Sequence, residues 1–103
     1  MIPLIADNLP RVESVCREYG VERLDVFGSA ASGEFRDATS DLDFVADFGG
    51  ARAGIADRYF GFAEALERLF GRRVDVLTER SIRNPIFRRT VEGQRQRVYE
   101  RGR

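Results

Sequence analysis

The sequence predicts an α/β (α+β) fold in which a small β-sheet is covered by helices. Helical and strand-like segments alternate along the 103 residues, and no internal repeat is visible. The apolar fraction of 43% and the charged fraction of 33% are typical of a globular protein with a heavily charged surface. We expect one domain, residues 1–103, which is too short to carry a separate substrate lobe.

Three helices are predicted from apolar residues at helical spacing. The first is capped by Asp7 or Asn8 and ended by Gly20. The second spans about residues 57–70, and the last about residues 84–99. Aromatic residues at this spacing are far more often core than a ligand-binding box. The first helix is expected to pack on the sheet without a chemical role, and the second to bury its aromatic stripe in the core.

Three strands are predicted at about residues 23–27, 42–48 and 73–78, where β-branched and aromatic residues dominate. The first strand leads directly into a Gly-Ser turn. Ser29 is the expected N-cap of a short helical turn after Gly28, which would leave backbone N–H groups pointing outward. Such a helix start attracts phosphate.

Two carboxylates, Asp41 and Asp43, open the second strand. Positions i and i+2 of a strand share a face, so these side chains project together. Adjacent carboxylates repel each other unless a cation lies between them, and Mg²⁺ prefers hard oxygen ligands. The alternative is a solvated strand end that Ser40 merely caps.

A third carboxylate, Asp75, interrupts an apolar strand. Alternation places it on the face opposite Val74 and Val76, as the one charged group in an apolar centre. A charge there needs a partner, and a metal ion would supply one. The alternative is that Asp75 pairs with Arg72 or Arg73 at a sheet edge.

Composition excludes several kinds of chemistry. Histidine is absent, which removes the commonest general base and the usual zinc ligand. Cys16 is the only cysteine and is expected in the core. No signal peptide or membrane span is visible, so a cytoplasmic location is the default. Catalysis would have to rely on carboxylates, hydroxyls, Arg and metal.

Charge is distributed unevenly along a chain of zero net charge. Residues 1–50 carry ten acidic residues against four Arg, whereas residues 80–103 carry eight Arg against two Glu. This Arg-rich tail could contact RNA or an acidic protein surface. Clustered Arg is usually a solvated helix face, and zero overall charge is a poor footprint for stable RNA binding.

Taken together, these motifs resemble the minimal nucleotidyltransferase (MNT) domains of the DNA polymerase β superfamily, which occur as antitoxins paired with HEPN-domain toxins. The resemblance covers nearly the whole chain. It is carried by segments around the Gly-Ser turn, the Asp-x-Asp pair and the third Asp, and by three further segments: residues 26–29, Gly33, 40–45, 73–77, 58–61, 82–85 and 98–100.

The resemblance implies a small mixed sheet with flanking helices and a site for ATP with Mg²⁺, of which two ions are expected. Catalytic and metal-binding roles would fall on Asp41, Asp43 and Asp75. Nucleotide binding would fall on four other residues, namely Gly28, Ser29, Ser40 and Arg36. Many members carry Arg where this chain has Ser32, so any phosphate contact of that Arg is reduced here or passes to Arg36.

The resemblance favours an antitoxin enzyme that transfers AMP from ATP to a hydroxyl, expected to be a tyrosine, of a HEPN toxin ribonuclease. Two alternatives stay open: an antitoxin that masks the toxin sterically, and a nucleotidyltransferase that acts on RNA. Homo- or hetero-oligomers are compatible with a small domain that has an open site.

Overall fold

A four-stranded mixed sheet forms the centre of the computed structural model, which describes residues 1–36, 39–50 and 53–102. The strands are β1 (Arg23–Phe27), β2 (Leu42–Asp47), β3 (Val74–Thr78) and β4 (Gln96–Glu100), in the order β3-β2-β1-β4. Strand β1 pairs antiparallel with β2 and β4, whereas β2 and β3 are parallel. The predicted fold class is confirmed.

In the part of the chain that the structure describes, five helices and one 3-10 turn surround the sheet. They are α1 (Pro3–Ala6), α2 (Leu9–Glu18), α3 (Ser29–Ser32), α4 (Ile55–Phe70) and α5 (Pro85–Gln94), with the 3-10 turn at Glu79–Ser81. Helix α4 connects the parallel strands β2 and β3, as a crossover connection requires. Within the described residues, no helix is both long enough and apolar enough to span a membrane.

The two faces of the sheet bury different residues. One face packs against α2 and α4 through the main core, which includes Leu24, Phe44, Phe62 and the fully buried Cys16. The other face carries a smaller apolar cluster, in which Phe27 and its neighbours on β2 and β3 pack against the 3-10 turn and α5: Phe27, Val45, Leu77, Ile82 and Val91. The core position predicted for Cys16 is confirmed.

The predicted last helix is wrong in its second half. Helix α5 begins after Asn84, whose side chain accepts hydrogen bonds from the N–H groups of Ile86 and Phe87. It ends at Gln94, and Arg95 takes an extended conformation that turns the chain back toward the sheet. The apolar residues after it, Val98 and Tyr99, are buried on strand β4 beside β1.

Candidate active site

The carboxylates predicted to bind metal lie where β2 and β3 begin. Asp43 and Asp75 are direct neighbours in the parallel register of these strands. Both lie on the sheet face that carries Val45 and Leu77, because side chains alternate along a strand. Asp41 precedes β2 and is exposed. The structure therefore brings Asp43 and Asp75 together, with Asp41 two residues away in sequence.

The three carboxylates differ in their exposure to solvent. Asp43 is half-buried, whereas Asp41 and Asp75 are exposed. The expectation that Asp75 is a charge in an apolar centre is wrong, because β3 is an edge strand. The alternative, in which Asp75 pairs with Arg72 or Arg73, does not occur: none of the ion pairs among the described residues includes Asp75.

Among the described residues, no ion pair includes Asp41 or Asp43, so the negative charge at this end of the sheet has no paired cation there. Burial, and after it the charges of Asp75 and Asp41, raises the pKa of Asp43 to about 6. In the described part of the chain, no three acidic or thiol side chains are already gathered closely enough to hold a metal ion. The pair Asp43 and Asp75 is thus in place, and a cation would need further ligands from outside this pair.

The Gly-Ser turn joins β1 to helix α3 directly beside Asp43. Gly28, not Ser29, occupies the N-cap position of α3, so the predicted N-cap is wrong by one residue. The carbonyl oxygen of Gly28 accepts hydrogen bonds from the N–H groups of Ala31 and Ser32, both at 3.0 Å. The N–H groups of Ser29 and Ala30 have no acceptor among the described residues.

Gly28 has to be a glycine for two independent reasons. Its φ of 72° and ψ of −151° lie in a region that residues with a side chain rarely adopt. A Cβ atom at this position would also lie 2.4 Å from Oδ2 of Asp43. The backbone of the turn therefore lies directly against the carboxylate, which neighbours Phe27 on the adjacent strand.

The loop that follows α3 holds the other two residues predicted to bind nucleotide. Ser40 accepts a hydrogen bond on its hydroxyl from the N–H of Arg36, at 2.9 Å, so this hydroxyl closes the loop. The side chain of Arg36 is exposed. Arg72 donates to the carbonyl oxygen of Ser40 at 3.1 Å and lies over the ring of Phe35. Residues 37–38 lie outside the described residues.

A buried acid that sequence reasoning did not single out lies on the same sheet face. Asp25 is only 4% exposed, and its two oxygens accept hydrogen bonds from Arg95 at 2.7 Å and Arg97 at 2.5 Å. Arg95 also pairs with Glu79 and Glu92. The sequence signal that could have predicted this pairing was an acid inside an apolar strand, in a chain that ends in an Arg-rich tail.

Gln94 also escaped sequence reasoning, although it touches the Gly-Ser turn. Its Oε1 accepts a hydrogen bond from the N–H of Gly28 at 3.0 Å. The two residues are 66 positions apart in sequence, so no local pattern connects them.

Comparisons with known proteins define the class of this site. Residues 11–98 match the family model of the nucleotidyltransferase domain. The chain therefore belongs to the nucleotidyltransferase domain family, and it is a nucleotidyltransferase. The resemblance found in the sequence is confirmed at this level.

Particular relatives narrow the comparison. "Putative protein adenylyltransferase MJ1379" of Methanocaldococcus jannaschii is 33% identical over 75 residues, which cover 73% of this chain and 74% of that protein. A solved structure described as a putative minimal nucleotidyltransferase is 35% identical, covers 88% of this chain and 89% of its own, and superposes with a TM-score of 0.72.

Toxin-antitoxin complexes share the fold at lower identity. A complex of tri-AMPylated Shewanella oneidensis HEPN toxin with its MNT antitoxin matches with a TM-score of 0.65 at 16% identity, over 93% of this chain and 72% of the other. A toxin-antitoxin structure with AMP-PNP matches with a TM-score of 0.68 at 20% identity, over 92% and 75% of the two chains. At these identities the likeness concerns the fold alone.

Proposed function

We propose that this nucleotidyltransferase transfers AMP from Mg-ATP to a hydroxyl group of a partner protein. The acceptor we propose is a tyrosine of a HEPN-domain toxin ribonuclease, which the modification neutralises. The name given to MJ1379 and the AMPylated toxin of the Shewanella oneidensis complex support AMP as the transferred group. The AMP-PNP complex supports ATP as its source.

One observation carries the proposal: the in-register pair Asp43 and Asp75 lies beside the Gly28 turn, with excess negative charge. Hard oxygen donors without a cationic partner suit Mg²⁺, which is usually held by one or two carboxylates and by substrate phosphates. Asp43 and Asp75 would hold the ion, and Asp41 and the phosphates would complete its ligands. When bound, Mg²⁺ would neutralise phosphate charge and lower the pKa of the acceptor hydroxyl.

The protein groups supply binding and proton transfer. The N–H groups of Ser29 and Ala30 are available to receive phosphate oxygens. The acceptor oxygen forms a bond to the α-phosphorus as the bond to the bridging oxygen breaks, and pyrophosphate leaves. Because Asp75 is exposed, its carboxylate can reach an incoming hydroxyl and accept the proton that this group loses.

The test is transfer of label from Mg-ATP, labelled at the α-phosphate, to a purified HEPN toxin. We expect the unmodified chain to label the toxin and to abolish its ribonuclease activity, and Asp43→Asn to label it about 1,000-fold more slowly. Asp47→Asn is the matched control, because Asp47 lies on the same strand and face but pairs with Arg23. The absence of any label with the unmodified chain would overturn the proposal.

Steric masking is the second candidate function. Helix α5 exposes two large apolar side chains, Ile86 at 74% and Phe87 at 41%, which could contact a protein partner. If Asp43→Asn still binds and still silences the toxin, masking is the mechanism. If it binds without silencing, transfer is required.

The Arg-rich tail offers little support for RNA as the acceptor. Four of its arginines form ion pairs with acidic residues of the same chain: Arg88, Arg95, Arg97 and Arg101. These side chains already have anionic partners, so they are poorly placed to neutralise RNA phosphates.

A further inference from the structure

Gln94 connects the end of helix α5 to the turn beside the carboxylates. It is the last residue of α5 and is half-buried. Its side-chain carbonyl oxygen accepts the hydrogen bond of the Gly28 N–H at 3.0 Å. The Gly28 N–H is therefore directed toward the end of α5.

Gln94 holds the Gly28 N–H from outside the turn, whereas the Gly28 carbonyl oxygen accepts hydrogen bonds from within the turn and Ala30 packs in the core. Gly28 has a backbone conformation that only glycine adopts readily. At the other end of α3, a Cβ atom on Gly33 would meet no atom within 4 Å. The hydrogen bond that the Gly28 N–H donates to Gln94 thus holds the end of the turn at which α3 begins, next to the N–H groups of Ser29 and Ala30.

Gln94 is itself held in place by its neighbours in sequence. Arg95 and Arg97 both donate hydrogen bonds to Asp25 on strand β1, at 2.7 Å and 2.5 Å. Asp25 is buried three residues before Gly28. Segment 94–97 is therefore attached both to strand β1, at Asp25, and to the turn that follows β1, at Gly28.

We propose that Gln94 is a positioning residue for nucleotide binding, which fixes the Gly28 turn against Asp43. This inference rests on the proposed function and adds a residue that touches neither substrate nor metal. Without the acceptor oxygen, the turn would populate other conformations, and the apparent affinity for Mg-ATP would fall in proportion to the competent fraction. At saturating Mg-ATP the competent form is selected, so kcat stays near its original value.

The kinetic test compares Gln94→Met with Gln96→Met in the full chain. Methionine keeps the length of glutamine but removes the hydrogen-bond acceptor. Gln96 is the matched control, because it is exposed and its side chain forms no hydrogen bond with the described residues. For Gln94→Met we expect KM for Mg-ATP to rise about tenfold, equivalent to about 1.4 kcal/mol, with kcat within about twofold. Gln96→Met should match the unmodified protein.

A purely structural role would give a different result. Loss of folded protein lowers the measured kcat and leaves KM unchanged, because the remaining molecules bind normally. Equal KM values for Gln94→Met and Gln96→Met would overturn the proposal. If Gln94→Met does not fold, Gln94→Asn takes its place, since its shorter side chain withdraws the acceptor and the same KM comparison decides.

Amide hydrogen exchange at Gly28 tests the contact without any activity. The Gly28 N–H should be protected in the unmodified chain, in Gln96→Met and in Gln94→Glu, which keeps an acceptor oxygen. It should exchange at least about tenfold faster in Gln94→Met. An unprotected Gly28 in the unmodified chain would overturn the inference. A protected Gly28 in a chain that transfers no AMP would overturn only the proposed function.

Discussion

Asp25 and Asp43 lie on the same face of the sheet, on neighbouring strands, but in opposite electrostatic surroundings. Asp25 is 4% exposed, and each of its oxygens accepts a hydrogen bond from an arginine. Asp43 is half-buried, and its charged neighbours are Asp75 and Asp41. The pKa of Asp43 rises to about 6 through burial first and through these two charges second.

This difference separates an acid that supports the fold from an acid that is available for chemistry. A buried charge is tolerated when it is paired and hydrogen-bonded, as Asp25 is. An acid that is left beside other acids destabilises the folded state, and such sites commonly bind cations or substrates. Arginines of this chain form ion pairs with Asp25, Glu79 and Glu22. None of the ion pairs among the described residues includes Asp43.

Among the variants of these acids, Asp43→Asn is expected to have the largest effect on transfer. We expect transfer to fall about 1,000-fold, because the variant lacks a carboxylate that we propose as a ligand of Mg²⁺. The free energy of unfolding should be unchanged or higher, because a carboxylate that two others repel becomes neutral. Urea unfolding of the same preparation measures this. A loss of activity that is accompanied by an equal loss of folded protein would contradict it.

The opposite pattern is expected for Asp25→Asn. This change removes the shared acceptor of Arg95 and Arg97, so we expect the free energy of unfolding to fall by about 2–4 kcal/mol. The loss is moderated because Arg95 keeps Glu79 and Glu92, and Arg97 keeps Glu100. The midpoint of urea unfolding measures the effect. A change below about 0.5 kcal/mol would show that the pairing contributes no net stability.

The sequence predicted those features of the site that depend on local periodicity. Alternation predicted that Asp41 and Asp43 share a face and that Asp75 lies opposite Val74 and Val76, and the Gly-Ser turn was expected where Gly28 is found. The pairing of β2 with β3, which makes Asp43 and Asp75 neighbours, was not predicted. The exposure of Asp75 was missed, because the residues of β3 do not show that this strand lies at the edge of the sheet.

Contacts between distant parts of the chain account for the other differences. Gln94 meets Gly28 across 66 residues, and Arg95 and Arg97 meet Asp25 across 70 and 72. Strand β4 was predicted as helix because, in so short a segment, Val98 and Tyr99 fit both the helical and the strand periodicity. Only pairing with β1 decides between them.

Gly28→Ala tests how closely the site depends on the turn that borders Asp43. The new Cβ would meet Oδ2 of Asp43 at 2.4 Å and would force an unfavourable backbone conformation. Displacing the carboxylate by about 1 Å is expected to slow transfer about 100-fold. Gly33→Ala is the control, since Gly33 also has a positive φ but no atom lies near its added Cβ. If both variants slow transfer equally, backbone strain alone explains the loss.

The smallest effect is expected at Asp47, a fourth acid on the same face, which lies at the far end of β2 from Asp43. The hydrogen bond from Arg23, at 2.5 Å, lowers the pKa of Asp47. Its stabilising contribution is therefore present above the ordinary Asp pKa of about 4 and is lost as pH falls through the lowered value. The pair is partly exposed, so we expect Asp47→Asn to cost only about 0.5 kcal/mol at neutral pH.

Urea unfolding at neutral pH and at about pH 3 measures this dependence, because the difference between Asp47→Asn and the unmodified chain should shrink at the acid end. Transfer activity should stay unchanged, since Asp47 has a cationic partner and lies at the opposite end of β2 from Asp43. A difference that grows toward acid pH would mean that Asp47 is held in its protonated form. Its position would then resemble that of Asp43 more than that of Asp25, and pairing with an arginine would no longer separate the two kinds of acid on this face.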